Sequence, residues 1–151
     1  AWCTGSARAT IDIDLNLFVG KDEIETVLAA LPSNVVWNKR DLTRLKHDLQ
    51  HRLWWDQTPL DLFFNSTDYH HGLLERIHWE DFAETKIPFI SCQDLAVFKV
   101  FFDRTKDWAD LEAMHEAGTL DAAFVTGVIH QYLGEEEPRL ARLAKILADR
   151  T

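Results

Sequence analysis

Eight residues near the start, IDIDLNLF at positions 11–18, constrain the fold more than any other stretch. Apolar and polar side chains alternate along them, with β-branched residues early, which predicts a strand. Side chains two apart on a strand share a face. Ile11, Ile13 and Leu15 are therefore expected to enter a core, and Asp12 and Asp14 to stand together on the opposite face. Their Cα atoms then lie about 6.5–7 Å apart. Two carboxylates that close repel and resist ionisation unless a cation sits between them. Asp is also disfavoured in strands, so two in this stretch call for a reason. Hard oxygen donors at this spacing suit Mg²⁺ (or Mn²⁺), which takes one or two carboxylates and completes its shell with water and substrate phosphates. The competing reading is an exposed strand face carrying two solvated acids.

A third acid, Asp61, interrupts the apolar run TPLDLFF, where it is costly to bury unless paired or metal-bound. If this strand lies beside 11–18, three carboxylates converge in the arrangement used for two-metal phosphoryl or nucleotidyl transfer. Otherwise Asp61 is a surface acid near a turn.

Gly20 ends the first strand, and Ile24, Val27, Leu28 and Leu31 follow at helical spacing until Pro32. A short extended piece over 33–37 and a short helix over 41–47 come next. Strands over 50–56 and 59–64 bracket a hairpin turn at Asp56-Gln57-Thr58-Pro59. Ser66 to Asp68 can cap a helix reaching Leu74. Residues 84–90 predict an edge strand, since Pro88 cannot donate to a ladder. Composition then changes. Helices are expected at 92–103, 107–117, 121–132 and 136–149, with Gly118 and Gly134 as C-terminal stops. The expected fold class is α+β: a mixed core over 1–90 and a helical part over 91–151 packed on it.

The chain has 151 residues, 46% hydrophobic and 27% charged, which suits one soluble globular domain. Its net charge of −9 argues against nucleic-acid binding through bulk charge and leaves only a local patch. No run approaches the ~20 apolar residues of a membrane span, and the N-terminus is not signal-like. Cys3 and Cys92 do not make a disulfide framework; they read as buried small residues in a reducing, cytoplasmic compartment. A chain that opens at Ala1 is also open to being a fragment.

The segment Gly5-Ser6-Ala7-Arg8-Ala9-Thr10-Ile11-Asp12-Ile13-Asp14-Leu15 resembles the Gly-x-x-Arg-x-Thr-x-Asp-x-Asp signature of nucleotidyltransferase-fold proteins of the AbiEii and minimal-nucleotidyltransferase type. Asp94-Leu95-Ala96-Val97-Phe98-Lys99, followed by Arg104-Thr105-Lys106-Asp107-Trp108-Ala109-Asp110-Leu111, resembles the second signature of the same group. The resemblance spans about residues 5–115. It implies a DNA polymerase β-like core with a small mixed sheet over 1–90 and a helical C-terminal part. Asp12 and Asp14 would hold Mg²⁺, with Asp61 as third acid. Lys99 would neutralise triphosphate charge, and Asp107 would position it or a metal. Many members are toxins of toxin–antitoxin pairs, some adding nucleotides to the tRNA 3′ end; others are antitoxin partners of HEPN-domain ribonucleases. The family also carries a Gly-Gly or Gly-Ser turn roughly ten residues before Asp-x-Asp, where backbone N–H groups hold the triphosphate. Gly5-Ser6 stands too close to Asp12 to be that turn. Either the turn lies upstream of Ala1, or this member lacks it.

Other residues have two readings each. Lys99 lies on a helix rich in apolar residues and could simply snorkel to solvent. Arg104 and Lys106 extend its positive charge, which suits phosphates. Asp107 also fits an N-cap. Gly5, Ser6, Arg8 and Thr10 are candidate nucleotide contacts, against a plain role in strand entry. Lys39, Arg40, Arg44, Lys46 and Arg52 are five of the sixteen basic residues, within fourteen positions. Lys39, Arg40 and Arg44 are the candidate RNA-backbone patch, the alternative being a solvated helix face. His47 and His51 are four apart but lack the Glu of a His-Glu-x-x-His zinc motif. The tryptophans read as packing rather than base-stacking platforms.

The expected function is a Mg²⁺-dependent nucleotidyltransferase that moves a nucleoside monophosphate from an NTP to a hydroxyl, foremost a tRNA 3′ end, with a cognate antitoxin or toxin as partner. The rival is a non-catalytic or weakly catalytic partner protein that keeps the fold and binds a basic toxin through its acidic surface. A third reading, a glycosyltransferase using Asp-x-Asp for a nucleotide sugar, fits the short chain and the Lys99–Asp107 block poorly.

Overall fold

The computed structural model describes residues 3–5 and 11–148. The fold is α+β, and its packing divides into two units. One is a sheet unit, Ala9–Glu75; the other joins Ala1–Arg8 to Arg76–Thr151 and is mainly helical. Composition changes near residue 90, but packing changes at Arg76, so a hairpin goes with the helices.

The sheet unit contains β1 (Ile13–Leu17), α1 (Ile24–Ala30), β2 (Val35–Val36), α2 (Lys39–Asp48), β3 (Gln50–Trp55), β4 (Thr58–Phe64) and α3 (Asp68–Gly72). The sheet order is β1-β4-β3-β2, with β1 parallel to β4 and the other pairs antiparallel. Its core is built by Leu53, Leu60, Leu62 and Phe64 from one sheet face, with Val35 and, from the helices, Ile24, Leu28 and Leu45. Ile13 and Leu15 pack against this cluster, as the alternation predicts. Ile11 does not: it precedes the strand and is 77% exposed.

Local chemistry sets the element ends. Pro32 forces Leu31 into extended backbone and closes α1. Asn38 caps α2 in a reciprocal box: its side chain accepts from the Arg40 and Asp41 amides, and Asp41 Oδ2 accepts from the Asn38 amide at 2.9 Å. The β3–β4 turn is tighter than the sequence suggests. Asp56 and Gln57 alone form it, and Asp56 takes the left-handed φ of 52° that Asp tolerates. Pro59 consequently belongs to β4, beyond the end of the β1 ladder, which starts at Leu60.

The second unit holds β5 (His78–Phe82), β6 (Thr85–Phe89), α4 (Cys92–Phe102), α5 (Thr105–Glu116), α6 (Ala122–Leu133) and α7 (Pro138–Ala148). The last four match the expected helices closely. Strand β5 was not predicted; it pairs with β6 as a two-stranded ribbon. Ser91 caps α4 by accepting from the Asp94 amide.

Cys3 and Cys92 are disulfide-bonded, with Cα atoms 5.4 Å apart. This corrects the expectation of two free cysteines, although both are buried as anticipated. Spacing of 89 residues carries no pairing signal; proximity arises only when residues 3–5 join the helical unit. The cysteine argument for a reducing compartment falls with it. Among the described residues no helix is long and apolar enough to cross a membrane.

Candidate functional site

The sheet register builds the acidic site directly. Asp14 of β1 lies opposite Asp61 of β4, and Asp61 lies opposite Arg52 of β3. Directly opposed residues on adjacent strands share a face, so Asp14, Asp61 and Arg52 form one row on the face away from the core. Asp12 stands two residues before Asp14 and reaches the same group. Arg52 grips Asp61 with a fork, Nε donating to Oδ1 at 2.7 Å and Nη2 to Oδ2 at 2.6 Å. The same Nη2 donates to Asp12 Oδ2 at 3.0 Å. The hydrogen bond to Asp61 raises the guanidinium pKa above its ordinary value, outweighing burial, and the charges of Asp61 and Asp12 add to it.

Arg52 thus supplies positive charge to Asp12 and Asp61. The donor set of Asp12, Asp14 and Asp61 has the hard-oxygen chemistry of a Mg²⁺ site, and the guanidinium stands where positive charge is favoured. As they stand, Asp12 and Asp61 are paired with Arg52, and among the described residues no three His, Cys, Asp or Glu side chains form a group able to hold a metal ion.

Further along this face, Asn16 Oδ1 lies 3.3 Å from Nε2 of His70, which is buried at the end of α3's first turn. Trp54 and Val36 occupy the next cross-strand row beyond Arg52 and are exposed by 52% and 78%. That exposure departs from the packing role read for Trp54; Trp108 does fill a core, at 2% exposed.

The residues of the second signature lie in the helical unit. Lys99 on α4 donates to Asp110 Oδ2 at 2.6 Å and lies 3.7 Å from Asp107 Oδ1. Asp107 is almost fully buried and forms the N-terminal box of α5 with Arg104, whose Nε donates to Asp107 Oδ2 at 2.6 Å. Burial works against its ionisation, but the hydrogen bond and charge of Arg104, with the charge of Lys99, hold its carboxyl below the ordinary range. Asp94, fully buried, accepts a fork from Arg76 and a hydrogen bond from Ser91 Oγ at 2.6 Å.

Gly5 adopts φ +67°, and a Cβ there would meet the Ala117 Cβ at 3.2 Å. Ser6, Arg8 and Thr10 lie outside the described residues. Lys39, Arg40 and Arg44 are exposed on α2, whereas Lys46 pairs with Glu25 and Arg52 with the acids. His51 bonds Asp41 at 2.9 Å rather than sharing a ligand set with His47.

Sequence reasoning counted Arg52 only as part of a basic run. The signal that finds it is turn length: a two-residue loop at Asp56-Gln57 pairs position 52 with 61, whereas a turn centred one residue later pairs it with Phe63. No protein-family model and no curated protein matches the chain.

Proposed function

We propose that this chain is a Mg²⁺-dependent nucleotidyltransferase that transfers a nucleoside monophosphate from an NTP to a hydroxyl, with an RNA 3′ end as the leading acceptor and a toxin–antitoxin pair as its setting. The observation that carries this reading is that Asp14 lies opposite Asp61 on two adjacent parallel strands, with Arg52 bonding both Asp61 and Asp12, the residue just before β1. Asp12, Asp14 and Asp61 would hold the cation, which supplies charge neutralisation at the phosphates. Asp61 takes the proton of the acceptor hydroxyl. The acceptor oxygen then bonds the α-phosphorus, the bond from that phosphorus to the bridging oxygen breaks, and pyrophosphate leaves. Lys99 and Arg104 are the proposed phosphate contacts, with Asp107 positioning both. Lys39, Arg40 and Arg44 are the proposed RNA-backbone contacts.

A second reading, a partner protein of this fold without strong catalysis, is favoured by one observation: Asp12, Asp61, Lys99 and Asp107 are all engaged in internal ion pairs. The test is label transfer from each α-labelled NTP to total RNA with Mg²⁺, beside an Asp12→Asn/Asp14→Asn variant. Labelled RNA that disappears in the variant supports the enzyme. Equal labelling by the variant sinks the acid assignment, and no label with any nucleotide favours the partner reading.

A further inference from the structure

Strands β1 and β4 are parallel, so their carboxyl ends lie at the same end of the sheet. Three polar residues meet there: Asn16 near the end of β1, Ser66 two residues past β4, and His70 on α3. Thr67 caps α3 by accepting from the His70 amide, which holds His70 one turn beyond Ser66. Its ring spans the other two side chains. Nδ1 lies 3.5 Å from Ser66 Oγ, and Nε2 lies 3.3 Å from Asn16 Oδ1. An amide oxygen only accepts, so Nε2 carries the ring hydrogen. Nδ1 of the neutral ring is then the lone-pair nitrogen, and the Ser66 hydroxyl donates to it. Burial holds the ring pKa below its ordinary 6.5, which keeps it neutral at pH 7.

His70 is 6% exposed, whereas Ser66 is open to solvent. An exposed hydroxyl, a base behind it and a third group orienting the base are the order of an activated nucleophile. At 3.5 Å the first contact has the looser spacing common in such pairs before a substrate binds. Asn65, next to Ser66, carries an independent sign of a ligand. Its Nδ2 lies 3.1 Å from His71 Nδ1, but its buried Oδ1 has no hydrogen-bond partner among the described residues. Such an acceptor is costly, and an N–H or O–H on a bound molecule relieves it.

We propose that Ser66 and His70, with Asn16 as positioning residue, form a second catalytic site that hydrolyses small carboxylic esters bearing a hydrogen-bond donor beside the carbonyl. It is independent of the nucleotidyl transfer proposed above. Ser66 Oγ bonds the carbonyl carbon while its proton passes to His70 Nδ1. The ester C–O bond breaks, and the leaving alcohol takes that proton. Water then attacks the acyl-Ser66 carbon, giving its proton to Nδ1. Ser66 Oγ leaves and recovers the proton, and the carboxylic acid is released.

The full chain is incubated with p-nitrophenyl acetate and with p-nitrophenyl glycolate, which adds a donor hydroxyl. Release of p-nitrophenolate and the mass of the Ser66 peptide are followed, with circular dichroism confirming that each variant is folded. Acylation is expected at Ser66, with a lower KM for the glycolate. Ser66→Ala is expected to abolish turnover, and His70→Gln to slow acylation about 100-fold or more. Asn16→Ala is expected to slow it less, and Asn16→Asp, which keeps an acceptor for Nε2–H, to restore it. Turnover that survives Ser66→Ala, an unacylated Ser66, or a wild-type rate in His70→Gln overturns the proposal. Equal KM for the two esters overturns the donor requirement and removes Asn65 from the site. Should His70→Gln not fold, the acylation rate of Ser66 in the native chain is compared with that in the urea-unfolded chain. A faster native rate supports the relay, and equal rates contradict it.

Discussion

His70 shows how far a single side chain can be read from its surroundings. It is buried, with Nε2 facing Asn16 Oδ1 at 3.3 Å and Nδ1 3.5 Å from Ser66 Oγ. Burial, and then the neighbouring His71, push its pKa below the ordinary 6.5. The unfolded chain therefore takes up a proton as pH falls through 6.5 while the folded chain does not. The stability that His70 contributes is present above 6.5 and declines below it, until the folded pKa is reached, by at most about 1.4 kcal/mol per pH unit. Urea unfolding at pH 7.5 and 5.5 should show this loss in wild type and a smaller loss in His70→Gln; identical slopes would remove His70 as the cause. Asp107 acts at lower pH. Its depressed carboxyl gives stability that is complete above its unfolded value of 3.8 and lost as pH falls through the folded pKa. Asp107→Asn should therefore flatten acid unfolding below about pH 4, where wild type is steepest.

Elements whose ends are fixed by local chemistry were legible in the sequence, and those fixed by pairing were not. β1 follows from alternation, α1 from Pro32, and α4 from Ser91 as a cap. β5 escaped because His78-Trp79-Glu80-Asp81-Phe82 mixes strand-poor acids with aromatics. Its two-residue turn also uses Ala83 at φ 53°, where Asn or Gly would announce a hairpin. The acidic pair was visible from its two-residue spacing, and Asp61 from its apolar context. Arg52 was not, because its role depends on register, and neither was the Arg76–Asp94 fork, because burial of an acid at a helix start cannot be seen in composition. That fork makes a prediction of its own. Removing the cation in Arg76→Ala should cost about 3 kcal/mol, read as a fall in the urea midpoint. A change below about 0.5 kcal/mol would place the pair among inconsequential surface ion pairs.

At the scale of the whole molecule, the chain starts in one unit, builds the sheet unit, and returns to the first at Arg76. The Cys3–Cys92 bond closes the ring that contains all of the sheet unit. Residues 3–5 are held further by Thr119, whose hydroxyl donates to the Cys3 carbonyl. Closing so long a loop in the unfolded chain stabilises the fold by about 4–5 kcal/mol in the chain-entropy account. Reduction, or Cys92→Ser, should accordingly lower the thermal midpoint by about 10 °C or more, and an unchanged midpoint would show that the bond adds nothing. The proposed nucleotidyl transfer at the sheet face of Asp14 and Asp61 is tested most directly by following which phosphate moves. ATP labelled at the α-phosphate and ATP labelled at the γ-phosphate are incubated in parallel with the protein, Mg²⁺ and total RNA. The account predicts α-label joined to RNA and γ-label recovered only as pyrophosphate. Transfer of the γ-label, or α-label joined equally well by Asp61→Asn, would contradict it.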